Sequence, residues 1–277
     1  MVSHPVHPGN TAFVTGGASG IGLGIAQAML DAGLNVVVAD VRADHLDRAR
    51  EALAPAGERA LCIRLNVGDR DDWRRSREIV EERWRKLHIL CLNAGVGVLG
   101  SMVESEAADW EWSTAVNLGG VLNGVEAFLP HMRGHGEPAH IIATSSMGGL
   151  IVANDGGIYS SAKYGVVALM EGLRRDLAGT SVSASVLCPA AVNTNIFDHE
   201  RMRPEAFNSG ITRDEDELNR AEALARNILS HGRSPREVGA MVYEALVANA
   251  PYVFTDNGVR PTLVARRDAL LASAGAL

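Results

Sequence analysis

Thr15-Gly16-Gly17-Ala18-Ser19-Gly20-Ile21-Gly22 stands between an apolar run at residues 12–15 and an amphipathic stretch at 21–32. Glycine lets the backbone turn sharply and come close to a bound group. The first turn of a helix presents free N–H groups and a partial positive charge, so such a junction suits a phosphate. On this reading Gly16, Ser19, Gly20, Ile21 and Gly22 would hold a pyrophosphate. A tight strand–helix turn alone would use the same glycines, and their order, Gly-x-x-x-Gly-x-Gly, differs from the general Gly-x-Gly-x-x-Gly fingerprint. The next strand decides between the two. Asn35-Val36-Val37-Val38-Ala39-Asp40 ends in a carboxylate, which can accept hydrogen bonds from adenosine ribose hydroxyls and would repel a 2′-phosphate. Asp40 could instead be a turn former, a role that Asp44 already fills. Ser19 occupies a loop position where a basic residue could have gripped that extra phosphate. Arg42 points the other way, since it can reach a 2′-phosphate. The balance favours NAD over NADP.

Outward from this junction, the same alternation runs along the chain. Short β-branched runs fall at 12–15, 35–40, 60–67, 88–93, 140–145, 183–188 and 252–254. Amphipathic stretches fall at 21–32, 43–54, 71–86, 106–133 and 159–177. Strands this apolar are buried on both faces, and helical crossovers between them imply a parallel sheet. Right-handed crossovers place helices on both sides, which predicts a single α/β domain over residues 1–277, a Rossmann-type doubly wound sheet. The region 195–236 breaks the rhythm. It is charged and irregular, with Asp214-Glu215-Asp216-Glu217 and a helical piece at 218–229, and reads as a substrate lid rather than a plain surface excursion.

Composition narrows the function classes. The 277 residues are 47% hydrophobic and 21% charged, as in a soluble globular protein. With 26 Lys+Arg against 33 Asp+Glu the net charge is −7, and no basic block favours nucleic acid or an anionic membrane. Three scattered cysteines, Cys62, Cys91 and Cys188, suggest a reducing compartment. No apolar run has membrane-spanning length and residues 1–10 do not read as a signal peptide, so a cytoplasmic location is expected. No histidine or carboxylate cluster is read as a metal site.

Tyr159-Ser160-Ser161-Ala162-Lys163 opens the helical stretch at 159–177, placing Tyr159 and Lys163 one turn apart on one face. A tyrosine with a pKa near 10 is a poor base at neutral pH, and a neighbouring ammonium would favour its phenolate. Tyrosine–lysine pairs are common on ordinary helix surfaces, so the pair needs context. Thr144-Ser145-Ser146 supplies it by ending a parallel strand, where α/β proteins place their sites. The Ser146 hydroxyl would hold a carbonyl or alcohol oxygen beside Tyr159. A serine hydrolase would want Gly-x-Ser-x-Gly here, but Thr144 stands where the first glycine belongs. Asn117 lies inside the preceding helical stretch.

These residues resemble the short-chain dehydrogenase/reductase family from about residue 11 to residue 254. Its Thr-Gly-x-x-x-Gly-x-Gly matches Thr15–Gly22. Its Asn-Asn-Ala-Gly matches Leu92-Asn93-Ala94-Gly95, with leucine for the first asparagine. Its Pro-Gly-x-Val-x-Thr matches Pro189-Ala190-Ala191-Val192-Asn193-Thr194, with alanine for glycine. The resemblance implies Tyr159 as acid/base, Lys163 lowering its pKa and holding the nicotinamide ribose, and Ser146 orienting the reacting oxygen. It implies that Asn117 holds a proton-relaying water. It also implies adenine contacts from Asn66 and Val67, a ribose-side contact from Asn93, a carboxamide clamp from Val192 and Thr194, and assembly as a homotetramer or dimer.

The expected substrate is a bulky, neutral, aromatic or alicyclic secondary alcohol or ketone. Its candidate walls are 96–99, 147–152 and the lid residues Ile196, Phe197, Met202 and Phe207. The lid and tail are loosely similar to Cα-dehydrogenases of lignin-type aryl ethers. Hydroxysteroid oxidation and 3-oxoacyl reduction use the same chemistry, and a non-catalytic NAD-binding or sensing protein is the alternative of a different class.

Overall fold

The polypeptide is described by a computed structural model that covers residues 4–196, 203–208 and 215–275. Its strands are β1 (Thr11–Thr15), β2 (Asn35–Asp40), β3 (Ala60–Arg64), β4 (Ile89–Leu92), β5 (Ala139–Thr144), β6 (Val182–Cys188) and β7 (Tyr252–Phe254). The helices are α1 (Gly20–Asp31), α2 (Ala43–Leu53), α3 (Arg70–Trp84), α4 (Ala107–Thr114), α5 (Gly120–Gly134), α6 (Gly157–Asp176), α7 (Glu215–Ser230), α8 (Pro235–Ala248) and α9 (Arg260–Ala274). All seven strands are parallel, in the order β3-β2-β1-β4-β5-β6-β7. The order reverses between β1 and β4, so the carboxyl ends of these two central strands diverge into a crevice. This is the expected doubly wound sheet.

Each central strand feeds two cores, because successive side chains point to opposite faces. Ala12 and Val14 pack with Val36, Val38, Ile25 and Met29 on the face covered by α1 and α8. Phe13 packs on the opposite face with Val37, Leu90, Trp73 and Phe128. There the Phe13–Phe128 and Phe13–Trp73 ring centroids are 5.2 and 5.9 Å apart, and Trp73 Nε1 donates to the Val67 carbonyl at 2.9 Å. On the first face α1 and α8 touch backbone to backbone. A Cβ on Gly24 would lie 1.9 Å from the Pro235 oxygen, and one on Gly239 would lie 2.1 Å from the Gly24 oxygen. Only hydrogen fits at either position.

Several sequence expectations change. The single helix expected at 106–133 is two helices joined by a π turn at Ala115–Gly119. The strand expected at 60–67 stops at Arg64, because Asn66 turns the chain: its Oδ1 accepts from the Gly68 N–H at 3.0 Å. The irregular region expected to run to 236 ends before it. α8 already begins at Pro235, capped by Ser234 and Glu237, and belongs to the core. Neither α8 nor α9 was anticipated. Among the described residues, no helix is long and apolar enough to cross a membrane.

Histidines line the amino-terminal edge of the sheet. His131 and His135 stand one turn apart on α5, a ligand-like spacing, but their ring nitrogens are engaged. His131 accepts from the Leu87 N–H and faces Glu81, while His135 bonds the Leu87 carbonyl and accepts from the Glu137 N–H. His88 Nδ1 accepts the Thr11 N–H at 3.1 Å, a bond that needs the neutral ring. Burial lowers the pKa of His88, His131 and His140, and His140, buried against Ser185, falls to about 3. A folded-state pKa below the unfolded value means that the unfolded chain binds more protons as the pH falls. The stability is therefore complete above the unfolded value of 6.5 and is lost progressively as the pH drops from there toward 3. For His140 alone the loss at pH 5 is about 2 kcal/mol. The thermal midpoint is expected to fall between pH 7 and pH 5 and to fall less in His140→Leu; equal acid sensitivity in the variant would locate the effect elsewhere.

Candidate active site

The crevice is a cleft of about 500 Å³ built from the carboxyl ends of β1, β2, β4, β5 and β6 and the starts of α1 and α6. Of the sequence-derived site residues, Gly16, Ser19, Gly20, Ile21, Asp40, Asn66, Val67, Asn93, Ser146, Tyr159, Lys163, Val192 and Thr194 line it. Gly22 and Asn117 stand behind the wall. A Cβ on Gly22 would lie 2.1 Å from the Gly16 oxygen, so this glycine closes the loop onto itself. Gly16 has φ +58°, and a Cβ there would meet the Ala94 Cα at 2.9 Å, which presses the β1 loop against the β4 loop.

At the β1–β2 end the groups suit a dinucleotide. Ser19 is the N-cap residue of α1, yet its hydroxyl does not cap the helix. The first-turn N–H groups of α1 have no intrahelical acceptors, and Gly20 and Ile21 of that turn line the cleft. Asp40, 9% exposed, accepts from the Ala18 N–H at 3.4 Å through one oxygen and from the Arg42 N–H at 3.1 Å through the other. The Arg42 guanidinium is forked onto Asp44 at 2.8 and 2.6 Å. This pairing holds the Asp44 carboxyl well below the usual carboxylate range.

Asn93 is the centre of a hydrogen-bonded staple. Its N–H donates to Thr15 Oγ1 at 2.8 Å, and its side-chain amide donates to the Thr15 carbonyl at 3.2 Å. Its Oδ1 accepts from Thr144 Oγ1 at 3.0 Å. Thr15 and Thr144, which sequence reasoning passed over, thus join the ends of β1, β4 and β5. Leu92, where the family pattern has an asparagine, is buried in the core beneath them.

Lys163 and Tyr159 occupy the other end. Lys163 is 2% exposed; its Nζ donates to the Thr144 carbonyl at 3.0 Å and lies 5.6 Å from the Tyr159 ring centroid. Burial pushes the lysine down to about 8 and the Tyr159 phenol up to about 12. The hydrogen bond with Ser146 is the influence that favours the phenolate. For Tyr159 the desolvation outweighs the Ser146 hydrogen bond, so the phenol is raised and not lowered. Asn117 sits in the π turn with its amide paired both ways to Val96: Oδ1 accepts from the N–H at 3.1 Å and Nδ2 donates to the carbonyl at 2.9 Å. A Cβ on Gly95 would touch both Asn117 Oδ1 and Lys163 Nζ, at 2.9 and 3.3 Å, so the two side chains converge behind that glycine.

The loop after β6 is fixed by Ala190 N–H donating to Thr255 Oγ1 at 2.9 Å and by the Val192–Arg233 bridge. Ala190 is not among the described residues with positive φ, so this turn tolerates alanine where the family pattern has glycine. The apolar end of the cleft, the candidate substrate end, is lined by Val96, Leu99, Trp112, Val116, Ile196 and Phe207. Residues 147–152 do not line the cleft, which corrects that expectation, and Phe197 and Met202 lie outside the described residues. Trp112 was missed. Asp109-Trp110-Glu111-Trp112 contains two tryptophans, and only the packing of α4 shows which one faces inward.

Comparison with known proteins agrees with this architecture. The short chain dehydrogenase family model matches residues 10–205. C alpha-dehydrogenase of Sphingobium sp. is 35% identical over 264 residues, covering 95% of this chain and 85% of its own. 3beta-hydroxysteroid dehydrogenase 2 of Eggerthella lenta is 32% identical over 194 residues, covering 70% and 75%. A short chain dehydrogenase/reductase of Burkholderia phymatum, solved in complex with NAD, superposes with a TM-score of 0.92 at 34% identity, covering 97% of this chain and 96% of that one.

The buried lysine should cost stability. With a folded value near 8 against an ordinary 10.5, the unfolded chain binds more protons between those pH values. The penalty is therefore full below pH 8 and vanishes as the pH rises toward 10.5. Lys163→Met removes that penalty but leaves the Thr144 carbonyl without its donor, for a net gain of about 2 kcal/mol near neutral pH. Denaturant titrations should show a gap between variant and wild type that closes on the alkaline side; a variant less stable at pH 7 would refute the assignment.

Proposed function

The chain belongs to the short-chain dehydrogenase family of oxidoreductases, and from that premise we propose that it moves a hydride between NAD(H) and a bulky, aromatic or alicyclic secondary alcohol or ketone, with Tyr159 as acid/base. The observation that carries this reading is the placement of Ser146, Tyr159 and Lys163 in the same cleft as the glycine loop and Asp40.

The residues present fit the dinucleotide. The uncapped start of α1 and the Gly16 turn, which has no room for a Cβ, suit its pyrophosphate. The Asp40 carboxylate suits the adenosine ribose, with Asn66 and Val67 beside the adenine. A 2′-phosphate would face Asp40 and would have to compete with Asp44 for Arg42, which supports NAD over NADP. Asn93 would act on the ribose side chiefly by holding the strand ends together. Val192 and Thr194 would contact the carboxamide, and Lys163 the nicotinamide ribose. When bound, the cofactor supplies the hydride acceptor or donor.

In the oxidation direction Ser146 holds the substrate oxygen and Tyr159 Oη takes the hydroxyl proton as the carbinol hydrogen leaves as hydride, giving the ketone. In reduction the proton travels back from Tyr159 to the new alkoxide. The buried phenol is already a proton donor at neutral pH. Oxidation needs its phenolate, which the Lys163 ammonium and the positive charge of the oxidised nicotinamide favour together. Asn117 acts as a positioning residue through Val96 and the Lys163 side of Gly95. The apolar end formed by Val96, Leu99, Trp112 and Phe207 supports a ring-bearing substrate. The names of the curated relatives, a C alpha-dehydrogenase and a hydroxysteroid dehydrogenase, support the same class.

The test is NADH formation from NAD by the purified protein over a panel of ring-bearing secondary alcohols. Turnover should rise with pH, as a base that must lose its proton requires. Tyr159→Phe should lower it by roughly 100- to 10,000-fold while NAD still binds. Undiminished activity would refute Tyr159 as acid/base, and NAD binding without turnover on any alcohol or carbonyl would favour a sensing protein. Asp40→Ala should narrow the preference for NAD over NADP; an unchanged ratio would make Asp40 structural.

A further inference from the structure

The segment 203–208 is held against α4 by a buried ion pair. Arg203 Nη2 donates to Asp109 Oδ1 at 2.7 Å, with the two side chains only 9% and 8% exposed. The guanidinium carbon also stands 4.6 Å from the centre of the Trp112 ring, and Nη1 reaches the Phe207 carbonyl at 3.4 Å. Asp109 does a second job, because its Oδ2 accepts the Glu106 N–H at 3.2 Å and fixes the start of α4. Neither charged residue lines the cleft, whereas Pro204, Ala206, Phe207 and Trp112 do. Trp112 packs with Val98 and Ile158, and Phe207 rests on that cluster. Ile158 immediately precedes Tyr159, so this wall adjoins the proposed acid/base.

We propose that Arg203 and Asp109 are positioning residues that set substrate size: their ion pair clamps Phe207 and Trp112 into a fixed aromatic wall that seats a ring on the carbinol carbon. This rests on the dehydrogenase reading of the same cleft. A buried pair with a planar, bidentate-capable guanidinium can fix a segment in one place, whereas an exposed pair would let it wander. Breaking the pair leaves the chemistry at Tyr159 untouched but removes the wall against which a ring is held. A small alcohol makes no use of that wall.

The experiment compares a ring-bearing substrate, 1-phenylethanol, with a small one, 2-butanol, in NAD-dependent oxidation. Asp109→Asn, which keeps a hydrogen-bond acceptor at the start of α4, and Arg203→Lys, which keeps the charge, are the gentle variants. Each should raise KM for 1-phenylethanol by tenfold or more with kcat within about twofold, and leave kcat/KM for 2-butanol within about twofold. The exchanged pair, Arg203→Asp with Asp109→Arg, should recover part of the lost selectivity. Amide hydrogen exchange of the NAD-bound protein should speed up at 203–208 in the single variants. Equal losses on both alcohols, a kcat effect in place of a KM effect, or faster exchange without altered selectivity would overturn the proposal while the dehydrogenase reading stands. A wild type that turns over neither these two nor any other alcohol of the panel would overturn that reading, and this one with it.

Discussion

The site depends on one chain of hydrogen bonds across three strand ends. Thr15 at the end of β1 receives the Asn93 and Ala94 N–H groups from the loop after β4. Asn93 takes the Thr144 hydroxyl from the end of β5, and the Thr144 carbonyl takes Lys163 Nζ from α6. The glycine loop and the buried lysine are thereby tied together through groups at the very edge of the sheet. A parallel sheet leaves such carboxyl-terminal groups without strand partners, and here they are satisfied by each other. The geometry of the cleft follows from this satisfaction, because moving any one end would strand a buried donor or acceptor.

The same burial that orders the site works against its ionisation. Lys163 is lowered and Tyr159 raised, so burial shifts each toward its neutral form. On the proposed function, the positive charge that oxidation needs beside the phenol arrives partly with the cofactor. The arrangement thus couples acid/base readiness to occupancy, and what the fold contributes is a dry, fixed setting in which an added charge acts strongly.

The apolar end of the cleft is organised on a different principle. Its wall is apolar and aromatic, yet what holds that wall in register is charge hidden behind it, with Asp109 serving the start of α4 and Arg203 at once. The π turn at Ala115–Gly119 follows directly and directs Asn117 onto Val96, at the edge of the same wall. Segment 203–208, α4 and the loop after β4 therefore form one packed unit leaning on α6.

Much of this was legible in the chain. The β-branched runs separated by amphipathic stretches dictate a doubly wound parallel sheet, because such strands can bury both faces only under helices. Glycines at 16, 20 and 22 around the start of α1, with Asp40 closing the next strand, raise the expectation of a phosphate and ribose site by local chemistry. Tyr159 and Lys163 share a face by helical period, and Ser146 ends a strand. Other features lie beyond any local pattern. The break between α4 and α5 has no proline at Ala115–Gly119, and the Gly119-Gly120 pair there does not by itself distinguish a π turn from a continuous helix; α8 became a core helix through the Gly24–Gly239 approach of elements distant in sequence. The direction in which Tyr159 and Lys163 shift is set by how deeply the sheet and helices bury them, which spacing does not encode. Asp109 and Arg203 are ninety-four positions apart and look like surface charges, yet the fold buries them as a pair. Periodicity and turn chemistry act within a few residues and so can be read from sequence; desolvation, ion pairing across the fold and the choice between two tryptophans depend on which distant segments exclude water, and only the tertiary structure decides that.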